Sequence, residues 1–300
     1  MDVIRRGSEV LRNRVGSQLF AQVAGPDGPR NRERIHQSPG PRWFGPERAI
    51  RVVHGDAAMF VGGLRALLLQ SLHPLAMAAV AAHSGFRGDP WGRLARTSTF
   101  LAVTTYGTAD DAETAVAQVR AVHTRVTGTA EDGRPYRADD PHLLAWVHAA
   151  EVDSFLTAHQ AFGAQPLTRN ECDAYVRDTA RIATALGVAQ PPLDVEQLRA
   201  VLDRFRPELR ATAAARDAAR FIVKEPPLPR AARVPYKALT ANAVALMPAW
   251  ASLALGLPTA PRLLAPMTRR SGDVVTGLIR WAMAPPASSR TPPAPPSTGR

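Results

Sequence analysis

Residues 57–82 read AAMFVGGLRALLLQSLHPLAMAAVAA, and the reading of this run decides the fold. It is long enough and apolar enough to suggest a membrane span. Arg65, Gln70, His73 and Pro74 interrupt it. A proline removes a backbone donor and clashes with the turn before it. The run is therefore expected to form two buried helices broken at Pro74. A second apolar run, residues 238–257, contains Pro248 and is expected to be a core helix broken there. Membrane association is the less favoured reading of both.

Outward from these runs, helical periodicity recurs and long β-branched alternations are few, so an all-α fold is expected. The chain has 300 residues, of which 45% are hydrophobic, enough for a sizeable core. Residues 1–47 read as an amphipathic helix followed by a Gly-, Pro- and Arg-rich arm over 25–45, with Trp43 and Phe44 as its anchors. Residues 48–283 read as one helical domain. Residues 284–300 are rich in Pro, Ser and Thr and read as a disordered tail. Asp140 and Pro141 mark a strong helix start, and the helix that follows is expected over 141–162. Thr168 opens another, closed by Gly187. Helices are also expected over 195–205 and 207–221, and a loop over 226–235.

The formal net charge is +11, nearly all of it arginine, since Lys224 and Lys237 are the only lysines. The arginines are scattered along helices and not interleaved with aromatics, which argues against nucleic acid as a partner. The single cysteine, Cys172, excludes an intrachain disulfide and a thiolate cluster. The N-terminus lacks the apolar centre of a signal peptide, so a cytoplasmic location is expected. Dinucleotide and phosphate loops, the Gly-x-Ser-x-Gly elbow and the His-Glu-x-x-His zinc motif are all missing.

The residues that carry chemistry lie between Arg93 and Gly128. On a helix over 91–103, positions three and four apart share a face, so Arg93, Arg96 and Thr97 group together. On a helix over 112–127, Arg120 and His123 group in the same way. A neutral imidazole flanked by guanidinium groups suits a metal or an anionic cofactor, and haem offers both an iron and two carboxylates. His73 either satisfies the break at Pro74 or edges such a cofactor. His148 and Glu151, three apart on one helix, have the spacing of a metal-carboxylate motif in reverse order.

Taken together, Leu72-His73-Pro74, Arg93-x-x-Arg96-Thr97, Arg120-x-x-His123 with Val126-x-Gly128, and the run from Asp140 to His148 resemble the haem-dependent oxygenase family of latex-clearing rubber oxygenases and MpaB-type oxygenases. The resemblance covers roughly residues 53–257. It implies a mostly helical fold with a globin-like core around haem b. It implies His123 as proximal iron ligand and Arg120 as a residue that holds the haem; His73 and His148 are counted beside them as candidate cofactor-binding residues. Arg93, Arg96 and Thr97 would then be catalytic on the distal side. Rubber oxygenases carry a lysine where this chain has Arg96, and a guanidinium has no lone pair to give iron. They also carry a glutamate on the helix before the arginines, where residues 72–83 hold no acid. The expected function is a haem oxygenase acting with O2 on an apolar, lipid- or terpenoid-like substrate, with an electron donor as a further partner. A non-catalytic haem-binding or sensing protein and a cofactor-free helical scaffold are the alternatives.

Overall fold

The computed structural model describes residues 2–85, 87–259 and 265–284. Among these residues the chain forms fourteen α-helices and one two-stranded sheet, an all-α fold as expected. The long apolar run becomes α4 (Met59–Gln70) and α5 (Pro74–His83), which meet at an angle of 107°. Among the described residues no single helix is long and apolar enough to cross a membrane; only this bent pair passes together, on length and composition. The break falls at Pro74, and His73 caps the new helix by accepting a hydrogen bond at Nδ1 from the Ala76 amide.

The centre of the fold is α4 packed along α8 (Pro141–Phe162). Gly62 permits the close approach: a methyl group there would lie 3.2 Å from the Ser154 carbonyl oxygen and closer still to Phe155. Arg65, on the same helix, is buried. Its Nη1 donates to Ser154 Oγ at 2.7 Å, its Nε to the Leu246 carbonyl at 3.0 Å, and its Nη2 lies 2.8 Å from Asp153. This buried charge is tolerated because its donors are matched. The Leu246 carbonyl belongs to the C-terminal end of α12 (Arg230–Ala245), so one guanidinium pins three helices.

Against α8 lie α9 (Arg169–Leu186) and α10 (Val195–Phe205). Thr168 and Glu171 form a reciprocal capping box at the start of α9. Gly187 ends that helix at φ 114°, a left-handed conformation that glycine adopts without penalty. Residues Thr127–Thr129 and Pro135–Arg137 pair as the antiparallel hairpin β1–β2.

Several expectations need correction. The arm over 25–45 contains a helix, α2 (Gly28–Gln37): its proline sits in the first turn, where a missing N–H costs nothing, and Ile35 is buried. Phe44 does enter the core, and Arg181 stacks on Trp43 at 4.9 Å. The loop over 226–235 is shorter than expected, since α12 begins at Arg230 and carries Pro235 inside it. The helix expected over 207–221 is interrupted. Arg206–Glu208 is a 3-10 turn and α11 spans Ala213–Lys224 from its Thr212 cap, because the Arg210 amide is drawn to the Leu72 carbonyl. The apolar run 238–257 is broken at Pro248 between α12 and α13 (Ala249–Ala254), as expected. The first helix, α1 (Asp2–Ala24), lies against α6 (Pro90–Tyr106) and α14 (Ala265–Met283). The tail expected over 284–300 falls, past its first residue, outside the described residues.

Candidate functional site

The helix α6 begins with Asp89, whose carboxylate accepts from the Gly92 amide, and Pro90 fills its first turn. Its neighbour α7 (Ala109–His123) begins with Thr108, which accepts from the Asp111 amide. Ala112 and Val116 are buried on the inner face of α7. His123 continues that face one to two turns on and is half-buried. Its Nδ1 is buried without a hydrogen-bond partner. Burial holds its pKa below the ordinary value, partly offset by the charge of Asp139. The ring is therefore uncharged at neutral pH, with a lone pair committed to no other group. That is the state an imidazole needs as a metal ligand.

The arginines divide. Arg93 is half-buried and its Nη1 donates to Ser84 Oγ at 3.1 Å. Burial, and then the neighbouring Arg96 charge, lower its pKa, yet a guanidinium stays protonated. Arg96 is exposed and pairs with Asp89 at 3.3 Å. Thr97 is exposed and donates to the Arg93 carbonyl at 3.0 Å. Arg120 lies at the rim. Its Nη1 donates to the Ala185 carbonyl at 3.1 Å, in a surface groove of about 470 Å³ shared with Trp43 and Val116.

A second group of polar residues lies deeper. His54, at the end of α3 (Ala49–His54), His148 and Glu151 on α8, and Tyr175 on α9 are all enclosed by protein. His54 Nδ1 is 2.8 Å from Thr105 Oγ1, and its Nε2 is hydrogen-bonded to the Tyr175 hydroxyl at 3.2 Å. Its ring meets Phe155 edge-on, centroids 5.5 Å apart. His148, Glu151 and Phe155 share one face of α8 at helical spacing. His148 Nε2 is buried without a partner. Burial lowers the His54 pKa to about 3 and the His148 pKa to about 4, and raises that of Glu151 to about 7. Tyr175 is also pushed up, by burial and then by the charge of Glu151. Although enclosed, His54, His148 and Glu151 each retain accessible surface, so they border internal space and not close-packed core.

His73 belongs to a third group. The ligating atoms of His73, His142 and Glu208 all lie within 4.8 Å of one another. With Nδ1 accepting from the Ala76 amide, the neutral His73 ring carries its proton on Nε2, which donates to Glu208 at 3.4 Å. His142 Nε2 lies 2.9 Å from the same carboxylate. Trp146 and Phe205 wall in the buried histidine. The cluster is satisfied as a hydrogen-bonded triad, and His73, read from the sequence either as satisfying the break at Pro74 or as edging a cofactor, has both nitrogens engaged, one of them capping the helix that starts at Pro74. Sequence reasoning did not see Glu208 or the His54–Tyr175 pair. Both arise where elements distant in the chain meet, and no spacing encodes that. The one legible signal was the pair His148 and Glu151, two polar residues three apart on a largely apolar helix.

Compared with known proteins, residues 51–281 match the family described as "ER-bound oxygenase mpaB/B'/Rubber oxygenase, catalytic domain". An uncharacterized protein of Mycobacterium bovis and one of Mycobacterium tuberculosis are each 36% identical over 101 residues. Each match covers 34% of this chain and 39% of the relative, so it spans about two fifths of those relatives' length. No solved structure matches the chain.

Proposed function

From the premise that this chain belongs to the mpaB/rubber oxygenase catalytic-domain family, we propose that it is a haem b-dependent oxygenase of an apolar substrate. The observation that carries the proposal is His123: an uncharged, half-buried imidazole on the inner face of α7, with a buried nitrogen that no described residue satisfies. A neutral imidazole with an unclaimed nitrogen has the donor chemistry that haem iron takes. When bound, haem supplies the redox chemistry with dioxygen.

The chain's own residues then have distinct tasks. His123 holds the iron. Arg93, anchored by Ser84, presents a fixed positive charge from α6. Arg96 adds hydrogen-bond donors on that helix and cannot ligate because guanidinium has no lone pair, while the Thr97 hydroxyl, which donates to the Arg93 carbonyl, keeps acceptor capacity. Arg120, at the rim of the His123 face, suits a carboxylate of the cofactor. His148 contributes from α8. An external electron donor is the remaining partner.

The test is reconstitution of the purified protein with haem, followed by absorption spectroscopy and oxygen consumption on terpenoid and fatty substrates. The proposal expects a Soret band and substrate-dependent oxygen uptake. A protein that remains colourless at stoichiometric haem contradicts it.

A further inference from the structure

The carboxyl of Glu151 has no role in the arrangement above. It is crowded by protein yet only partly buried, and it accepts no hydrogen bond from any described residue. A carboxyl group out of water without a partner is costly, and a leucine at this point of α8 would be cheaper. One turn before it His148 carries a second unpartnered polar atom, and one turn after it Phe155 packs against His54. Two unmet polar groups thus stand on one face of one helix, and both residues keep some accessible surface while the neighbouring Phe155 and Tyr175 are packed in the core. The His73–His142–Glu208 triad, by contrast, meets its own hydrogen-bonding needs.

We propose that Glu151, with His148 beside it, is the point at which an otherwise apolar ligand places its oxygen function, a hydroxyl or a carbonyl. A protonated carboxyl donates to a carbonyl oxygen, and accepts from a hydroxyl at its own carbonyl oxygen. A pure hydrocarbon would leave both groups unsatisfied, and a buried polar group left unpaired discriminates strongly against the analogue lacking the match. Naming this ligand as the substrate rests on the oxygenase reading; the binding site itself does not. Burial raises the Glu151 pKa to about 7, so a large share of this carboxyl carries its proton near neutral pH.

The experiment is equilibrium dialysis of the full-length protein, its haem content recorded by absorbance, against limonene, carvone and carveol. These share one carbon frame and differ in carrying no oxygen, a ketone or an alcohol. Carvone and carveol are expected to bind roughly tenfold or more tightly than limonene, the worth of one buried hydrogen bond. Glu151→Leu should erase or invert that preference, with folding checked by circular dichroism. Difference infrared spectroscopy of the unsubstituted protein adds a readout that no variant's folding affects: the carboxylic acid C=O stretch should shift on adding carvone, and loss of the shifting band in Glu151→Gln assigns it. Equal affinity for the three compounds, no binding of any, or a preference unchanged in Glu151→Leu would overturn the proposal. A clear preference in protein that takes up no haem would uphold the site and remove the oxygenase reading instead.

Discussion

Asp56 and Arg280, 224 residues apart in the chain, form a two-bonded ion pair at 2.9 and 3.0 Å. The carboxylate also accepts from the amides of Ala58 and Ala164, and the guanidinium reaches the Phe162 carbonyl. The pair fastens α14 to the start of α4 and the end of α8. Burial alone would raise the Asp56 pKa, but Arg280 and the two amides outweigh it and hold it low. Arg280→Met should lower stability by about 2 kcal/mol, below the full cost of breaking a buried pair because Arg280 is 30% exposed. The Asp56 contribution is present above its ordinary pKa and lost as pH falls through its depressed folded value. The variant's deficit should therefore shrink in acid. Thermal melts at neutral and acid pH measure both effects.

Gly62 is where α4 and α8 touch most closely, and Ser154 and Phe155 leave no room for a methyl group. Gly62→Ala should cost about 1–3 kcal/mol by overpacking, despite the better helix propensity of alanine. Urea unfolding curves decide the sign.

The enclosed ionisable groups make a prediction about pH. His54 and His148 titrate at about 3 and 4 in the fold, well below an unfolded histidine. Their stability contribution is present above about 6.5 and lost as pH falls. Glu151, raised to about 7, acts oppositely: its contribution is full below about 4.5 and lost as pH rises through its folded value. Between pH 5 and 6 the two effects partly cancel. Glu151→Gln removes the opposing one, so stability should fall with acid more steeply than in the parent, by about 1.4 kcal/mol per pH unit, or one proton. Parallel slopes for parent and variant would show that Glu151 titrates normally.

Arg96 pairs with Asp89 in the open, both side chains more than half exposed. Exposed pairs contribute little, so Arg96→Ala should leave the melting temperature nearly unchanged. A guanidinium does not ligate iron, so the variant should also keep the absorption spectrum of the haem-loaded parent. A loss of the Soret band in Arg96→Ala would assign that side chain a role in holding the cofactor.

Much of the fold was legible because local chemistry decides it. Pro74 and Pro248 break apolar runs that would otherwise continue, and Thr168, Asp140 and Gly187 mark helix ends by their own hydrogen bonding or backbone freedom. Composition misled at 28–37, where Gly, Pro and Arg suggested a loop: a proline in the first turn is compatible with helix, and Ile35 supplies the buried contact. The site divides in the same way. His123 and Arg120 share a helix, so their spacing could be read as one face, while the roles proposed for them came from the family resemblance. The His54–Tyr175 pair and the Glu208 bridge join elements 121 and 135 residues apart. Only three-dimensional packing brings them together.

The central claim is that His123 holds an iron. The most direct measurement is chemical rescue: electron paramagnetic resonance and absorption spectra of haem-loaded protein, of His123→Gly, and of His123→Gly with added imidazole. An axial-imidazole signature in the native protein, lost in the variant and restored by free imidazole, is the predicted result. A native spectrum that survives unchanged in His123→Gly would contradict the account.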